Sequence, residues 1–168
     1  MSLTDRPAVV AALEANLRHI ERLVAHVDPE TAAIRPAPEE WSVLEILEHL
    51  TVVERAVHKA ITTAAGEEPG ELRTRQKDAM VAGLADYPTA VNAPEMVHPK
   101  GRYETLADAM RVFRERRNTT LDLARSLDVA WDAHHFAHPL LGRIDLGQWF
   151  LMAATHGERH ALQIEQRR

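Results

Sequence analysis

Apolar residues recur at steps of three and four along four stretches of this chain, and no pair of alternating stretches reads as a convincing strand pair. The first helical pattern runs from about Arg6 to Val27, with Val9, Ala12, Leu13, Leu17, Ile20, Leu23 and Val24 on one stripe. Asp28-Pro29 ends it, because proline disfavours a helical residue before it. Ile34 to Pro38 is a loop. The second pattern opens at Ser42 with Glu45 three residues later, a capping-box signature. Its inward seam is Ile46, His49, Val53, Val57 and Ala60, flanked by Leu47 and Leu50. Gly66 and the segment Glu67 to Gly70 close it.

From Gly66 to about Tyr103 the chain is irregular, with a short helix expected over Glu71 to Leu84 and loop elsewhere. A connection this long inside a compact domain is usually functional or a crossover. The third pattern spans about Thr105 to Leu127 through Leu106, Met110, Phe113, Leu121 and Leu123. A His-, Pro- and Gly-containing loop, Asp132 to Arg143, leads to the fourth. That pattern begins near Asp145, which caps it with Gln148 at the third position, and runs almost to the end. Four helices with one long crossover predict an all-α four-helix bundle, a fold that builds metal sites between facing helices.

The fourth helix carries the most informative spacing. Trp149, Met152, His156, His160 and either Gln163 or Ile164 form one line at helical steps. The line is otherwise apolar, so both imidazoles point inward, where unpartnered polar groups are costly. Histidines four apart on a helix can grip one transition metal. A catalytic site of the zinc type needs three protein ligands and an open position, and His49 on the inward seam of the second helix is the candidate third. A hydrogen-bonded cluster of the same three histidines is the alternative. Nitrogen donors suit zinc, nickel, copper or iron.

Neighbouring polar residues read differently. Glu158 lies two residues from each helix-four histidine, about 200° around the helix, and belongs on a solvated face. Glu45 reads as a cap carboxylate rather than a partner for the His49 ring. Gln163 is either a partner of His160 or a boundary polar residue. His98, His134, His135 and His138 are loop residues, some of which could line a pocket mouth. Trp41 and Trp149 read as packing residues. The run Arg111 to Arg117 reads as a solvated helix face, with help in binding an anionic substrate as the alternative.

Composition narrows the classes. The chain has 168 residues, enough for one domain over 1–168. Apolar residues make up 45% and charged residues 27%. No apolar run approaches the roughly 20 residues of a membrane span, and Met1 to Pro7 lacks the pattern of a signal peptide. Cysteine is absent, so no thiol of the chain can act as nucleophile or ligand, which fits a cytoplasmic location. The net charge of −5 argues against a nucleic-acid partner. No Gly-rich phosphate loop or G-x-S-x-G elbow is present.

Three stretches together resemble the DinB-like (YfiT-like) four-helix-bundle family. They are Trp41 to Leu50 with its histidine, the turn His138 to Trp149, and His156-Gly-Glu-Arg-His160 followed by Gln163-Ile164. Their order and spacing span nearly the whole chain. The resemblance implies an up-down-down-up bundle and a divalent metal, zinc or nickel foremost, on His49, His156 and His160. It implies a homodimer and a small-molecule substrate, with neither nucleic acid nor membrane as partner. Some relatives transfer low-molecular-weight thiols to electrophiles and others look like metal-dependent hydrolases, so a thiol transferase is expected, with a hydrolase or a non-catalytic binding module as alternatives. Arg102 or Arg143 could hold the carboxylates of a thiol entering beneath the 66–103 connection and the 134–138 loop. No residue is identified as a general base.

Overall fold

The computed structural model describes residues 2–70, 77–86 and 94–167. Its helices are α1 (Arg6–Val24), α2 (Val43–Ala65), a short α3 (Asp78–Ala82), α4 (Leu106–Ser126) and α5 (Leu146–Glu165). The first, second, fourth and fifth form a four-helix bundle. In it α1 packs on α4 and α5, and α2 packs on the same two partners, so the sequence neighbours α1 and α2 sit diagonally.

Local chemistry sets the helix ends. The α2 capping box is present: the Ser42 hydroxyl accepts from the Glu45 N–H, and the Glu45 side chain accepts from the Ser42 N–H. Asp145 and Gln148 form the same reciprocal pair at the start of α5. Thr105 caps α4 by accepting from the Asp108 N–H. Each such cap satisfies donors that the first helical turn leaves without partners. The α1 helix stops three residues before the expected Val27. The N–H groups of His26 and Val27 bond carbonyls three residues back, so the chain tightens into a 3-10 turn there.

Each long helix buries one apolar stripe. Val9, Leu13 and Ile20 of α1 meet Ile46, Leu47 and Val57 of α2, Phe113 of α4, and Phe150 and Ile164 of α5 in one core. Burying a side chain of this size stabilises the fold by roughly 1.5–3 kcal/mol. These stripes, rather than the exposed ion pairs such as Arg18–Glu14, hold the bundle together.

Two features differ from expectation. The stretch read as loop between 132 and 143 holds an antiparallel hairpin, β1 (His135–His138) with β2 (Gly142–Asp145), so the fold is mostly helical rather than all-α. Gly142 turns the chain with φ +67, a value that favours glycine. A two-stranded ribbon is marginal alone. Here the Trp149 indole donates to the Phe136 carbonyl, and Lys77 donates to the carbonyls of Leu141 and Arg143. The second difference concerns the connection between α2 and α4. Of the helix expected over Glu71 to Leu84, residues 71–76 lie outside the described residues. The remainder forms α3 and a 3-10 turn at Gly83–Asp86, both packed on α5. A further 3-10 turn, Glu95–Val97, packs on α2.

Candidate metal centre

The three histidines singled out by spacing meet at one point. His49 from the second turn of α2 and His160 from α5 are buried, at 2% and 5% exposure, and His156 is half-buried one helical turn below His160. His156 Nε2 lies 3.3 Å from His49 Nε2 and 3.2 Å from His160 Nε2. Donor atoms of all three lie within 4.8 Å of one another, a group of the kind that could hold a metal ion.

Hydrogen bonds fix which nitrogens face inward. His49 donates from Nδ1 to the Val97 carbonyl at 2.8 Å, and His160 donates from Nδ1 to Gln163 Oε1 at 2.7 Å. Both rings therefore carry their proton on Nδ1 and turn a bare Nε2 lone pair toward His156. A single Nε2 proton on His156 can satisfy one of those lone pairs and not both. His156 Nδ1 is itself buried with no hydrogen-bond partner. A shared cation removes the conflict. Tetrahedral zinc with Zn–N bonds of about 2.0–2.1 Å would separate its nitrogens by about 3.3 Å, close to the spacing of His156 Nε2 from each of the other two. Gln163 is thus a partner of a triad ring rather than a boundary residue.

The surroundings keep the imidazoles neutral, the form that binds metal. Burial pushes His49 down to about 4, against a smaller opposing effect of the Val97 hydrogen bond. Burial first, then the neighbouring His49 ring, pushes His160 down to about 3. His156 is held well below the usual range by burial, by its two histidine neighbours, and by Arg159 and Arg117. The Trp41 ring covers the cluster, 4.7 Å from the His49 ring and 6.3 Å from that of His160, so it does more than fill the boundary.

Beneath the triad lies a polar platform that the sequence reading placed on a solvated face. Arg117 is fully buried. Its guanidinium donates to Glu54 of α2, to the Leu13 carbonyl and Asn16 side chain of α1, and to the Ala153 carbonyl of α5. One side chain of α4 thereby contacts the other three bundle helices. Gly157, next to His156, permits this approach: a Cβ there would stand 2.3 Å from Asn16 Oδ1 and 3.0 Å from Arg117 Nη2. The signal was in the sequence. Arg117 falls four residues after Phe113 and four before Leu121, on the apolar seam.

Other expected residues sort as follows. Glu158 points away from the triad, as its position on the helix requires. It is half-buried rather than solvated, accepting from Asn16 Nδ2 at 3.0 Å and His19 Nδ1 at 2.7 Å. Glu45 serves the cap and pairs with Arg35. His98 is exposed beside Trp41, with ring centroids 5.8 Å apart. His134 donates to the Ala64 carbonyl at the far end of α2, about 22 Å of helix from His49. The hairpin and its histidines therefore lie far from the triad and do not roof it, contrary to expectation. Arg143 is exposed on that hairpin, and Arg102 lies near Glu48 at 3.8 Å. A cavity of about 240 Å³ opens among Arg6, Trp131, Asp145 and Gly147 at the start of α5. It is about 14 Å of helix before His156, and no histidine lines it.

Comparison with known proteins places the chain in a family. YuaE of Bacillus subtilis (strain 168), itself uncharacterized, is 23% identical over 143 residues, covering 79% of this chain and 80% of that protein. A solved structure with similar architecture is YfiT from Bacillus subtilis, described as a probable metal-dependent hydrolase with an unusual four-helix bundle topology. The TM-score is 0.68 at 14% identity, covering 99% of this chain and 87% of that one. That likeness concerns the fold. The profile of the DinB superfamily matches residues 12–164, and the chain belongs to that superfamily.

Proposed function

We propose that this protein is a metal-dependent enzyme that holds one divalent ion, zinc or nickel, on His49, His156 and His160 and uses it to transfer a low-molecular-weight thiol to an electrophilic small molecule. The single observation that carries the metal is the convergence of two bare Nε2 lone pairs on the Nε2 of His156. Bound there, the ion supplies Lewis acidity that makes a coordinated thiol or water nucleophilic at neutral pH.

The residues supply position and neutrality. His49 and His160 are aimed by their Nδ1–H bonds, a common arrangement in histidine metal sites. Burial keeps each ring neutral at neutral pH, with a single proton per imidazole. Trp41 shields one side from water. Three protein donors would leave an ion bound there a further position for substrate.

The choice of thiol over water rests on the carboxylates. Glu45 is engaged in its cap and with Arg35, Glu48 with three backbone N–H groups, and Glu158 with Asn16 and His19. None of these three is left as a general base. A thiol, with an unperturbed pKa near 8.5, needs less help to ionise than water does. Hydrolysis is the second reading, favoured by the description of YfiT. The family resemblance adds an up-down-down-up helix order, with the 66–103 connection as crossover, and a homodimer. The experiment is a panel of low-molecular-weight thiols with an electrophile, alongside simple esters and amides, run on metal-loaded and metal-free protein. Thiol consumption that needs metal and vanishes in His49→Ala supports the transferase. Metal-dependent ester or amide cleavage without thiol replaces it with the hydrolase.

A further inference from the structure

The residue before His49 does something the metal reading does not use. Glu48 is 2% exposed, on the side of α2 that faces the chain at 97–102. Its carboxylate accepts three consecutive backbone N–H groups: Lys100 at 2.7 Å, Gly101 at 2.9 Å and Arg102 at 3.0 Å. Three successive N–H groups converge on one anion only if the chain curls, and Gly101 supplies the curl with φ +71. Three residues before Lys100, the Val97 carbonyl accepts the hydrogen bond from His49 Nδ1–H. Little apolar burial holds this strap otherwise. Lys100, Gly101 and Arg102 are exposed, Val97 is only half-buried, and Met96 is 74% exposed.

We propose that Glu48 is the positioning residue of His49: by seating the 97–102 strap on α2 it fixes the tautomer and angle of the imidazole. Glu48 touches neither metal nor substrate and acts through Val97. Without the carboxylate the strap loses its charge-assisted anchor, and the His49 Nδ1–H loses its acceptor. The coupling is reciprocal, so an ion on Nε2 tightens the strap as much as the strap tightens the ion. The effect on metal affinity rests on the metal-centre reading, whereas the effect on the tautomer does not.

The test compares wild type, Glu48→Ala, Glu48→Gln and Gly101→Ala, with Val9→Ala as a control that weakens the α1 core remote from the strap. Zinc affinity is measured by competition with a chromophoric chelator. The His49 tautomer is read by nitrogen NMR of the metal-free protein. Exchange of the 97–102 amides is followed with and without zinc. Glu48→Ala should bind zinc about 10–100-fold more weakly, the usual loss when such a partner is removed. It should also show a mixed His49 tautomer. Glu48→Gln keeps an acceptor oxygen and should lose less. Gly101→Ala strains only the exposed strap, where open space surrounds the new methyl, so it reports even if Glu48→Ala fails to fold. Val9→Ala should keep wild-type zinc affinity, and zinc should slow strap exchange in wild type. Wild-type zinc affinity and an unchanged Nδ1–H tautomer in folded Glu48→Ala, or in Gly101→Ala where the former does not fold, would overturn the assignment. If wild type itself binds neither zinc nor nickel, the metal reading fails separately. The tautomer in Glu48→Ala then still decides: mixed supports the assignment, and unchanged overturns it.

Discussion

At the scale of single residues, the three imidazoles set a pH dependence whose sign is determined by their surroundings. Each ring has a folded-state pKa below its ordinary value of 6.5, near 4 for His49 and near 3 for His160. Between those values and 6.5 the unfolded chain holds more protons than the folded one, so stability rises with pH there. The contribution is fully present above pH 6.5 and is lost as pH falls toward 4 and then 3. Metal-free protein should therefore melt progressively lower from pH 6.5 downward, and His49→Phe should flatten that slope. Calorimetry across the range checks it, and a melting temperature independent of pH between 6.5 and 4 would count against buried neutral rings. Replacing His156 or His160 by Ala should remove most of the metal while the helices stay formed, measurable by elemental analysis and circular dichroism. The triad itself was legible because helical spacing and an apolar seam suffice to align side chains. The roles of Glu48 and Val97 were not, because the bonds of Glu48 to the Lys100 N–H and of His49 to the Val97 carbonyl join segments about fifty residues apart through backbone groups that no side-chain pattern records.

At the scale of elements, the joint between α1, α4 and α5 turns on one missing methyl. Gly157→Ala would push a Cβ into Asn16 and Arg117, so overpacking should cost about 1–3 kcal/mol. For a chain of this size that is a fall in melting temperature of roughly 2–12 °C. Removing Arg117 should cost more, about 3–5 kcal/mol in Arg117→Ala, because it strands the buried Glu54 carboxylate. Arg117→Met combined with Glu54→Leu removes both charges and should recover much of the loss. Denaturant unfolding of the three variants decides, and an Arg117→Ala protein as stable as wild type would refute the platform. The four long helices were readable because caps and period agree: Ser42 with Glu45 and Asp145 with Gln148 mark starts that the structure reproduces. The hairpin was missed because four residues per strand give too few alternations to register. The Pro139 and Gly142 that punctuate its turn read equally well as loop.

At the scale of the whole molecule, metal and fold should be linked. An ion bound only by the native state, at a free concentration of about 100 Kd, adds about 2.7 kcal/mol. A strong chelator should then lower the melting temperature of the loaded protein by roughly 5–10 °C. No helix among the described residues is long and apolar enough to cross a membrane. The proposed homodimer would pair equivalent surfaces about a two-fold axis. Light scattering at micromolar concentration should give twice the chain mass, and a monomer there would reject it. Residue spacing spoke to the inside of the bundle, where helical period dictates neighbours, and not to its outer faces, where no period does.

The central claim, that His49, His156 and His160 hold a metal, is met most directly by elemental analysis of protein purified without affinity tag or chelator. Wild type and the His49→Ala, His156→Ala and His160→Ala variants would be compared, with X-ray absorption on the wild-type ion. The account predicts one divalent ion per chain in wild type, bound by about three nitrogen donors near 2.0–2.1 Å if it is zinc, and most of it gone from each variant. Full occupancy in the three variants, or a wild type that takes up no divalent ion when one is supplied, would contradict it.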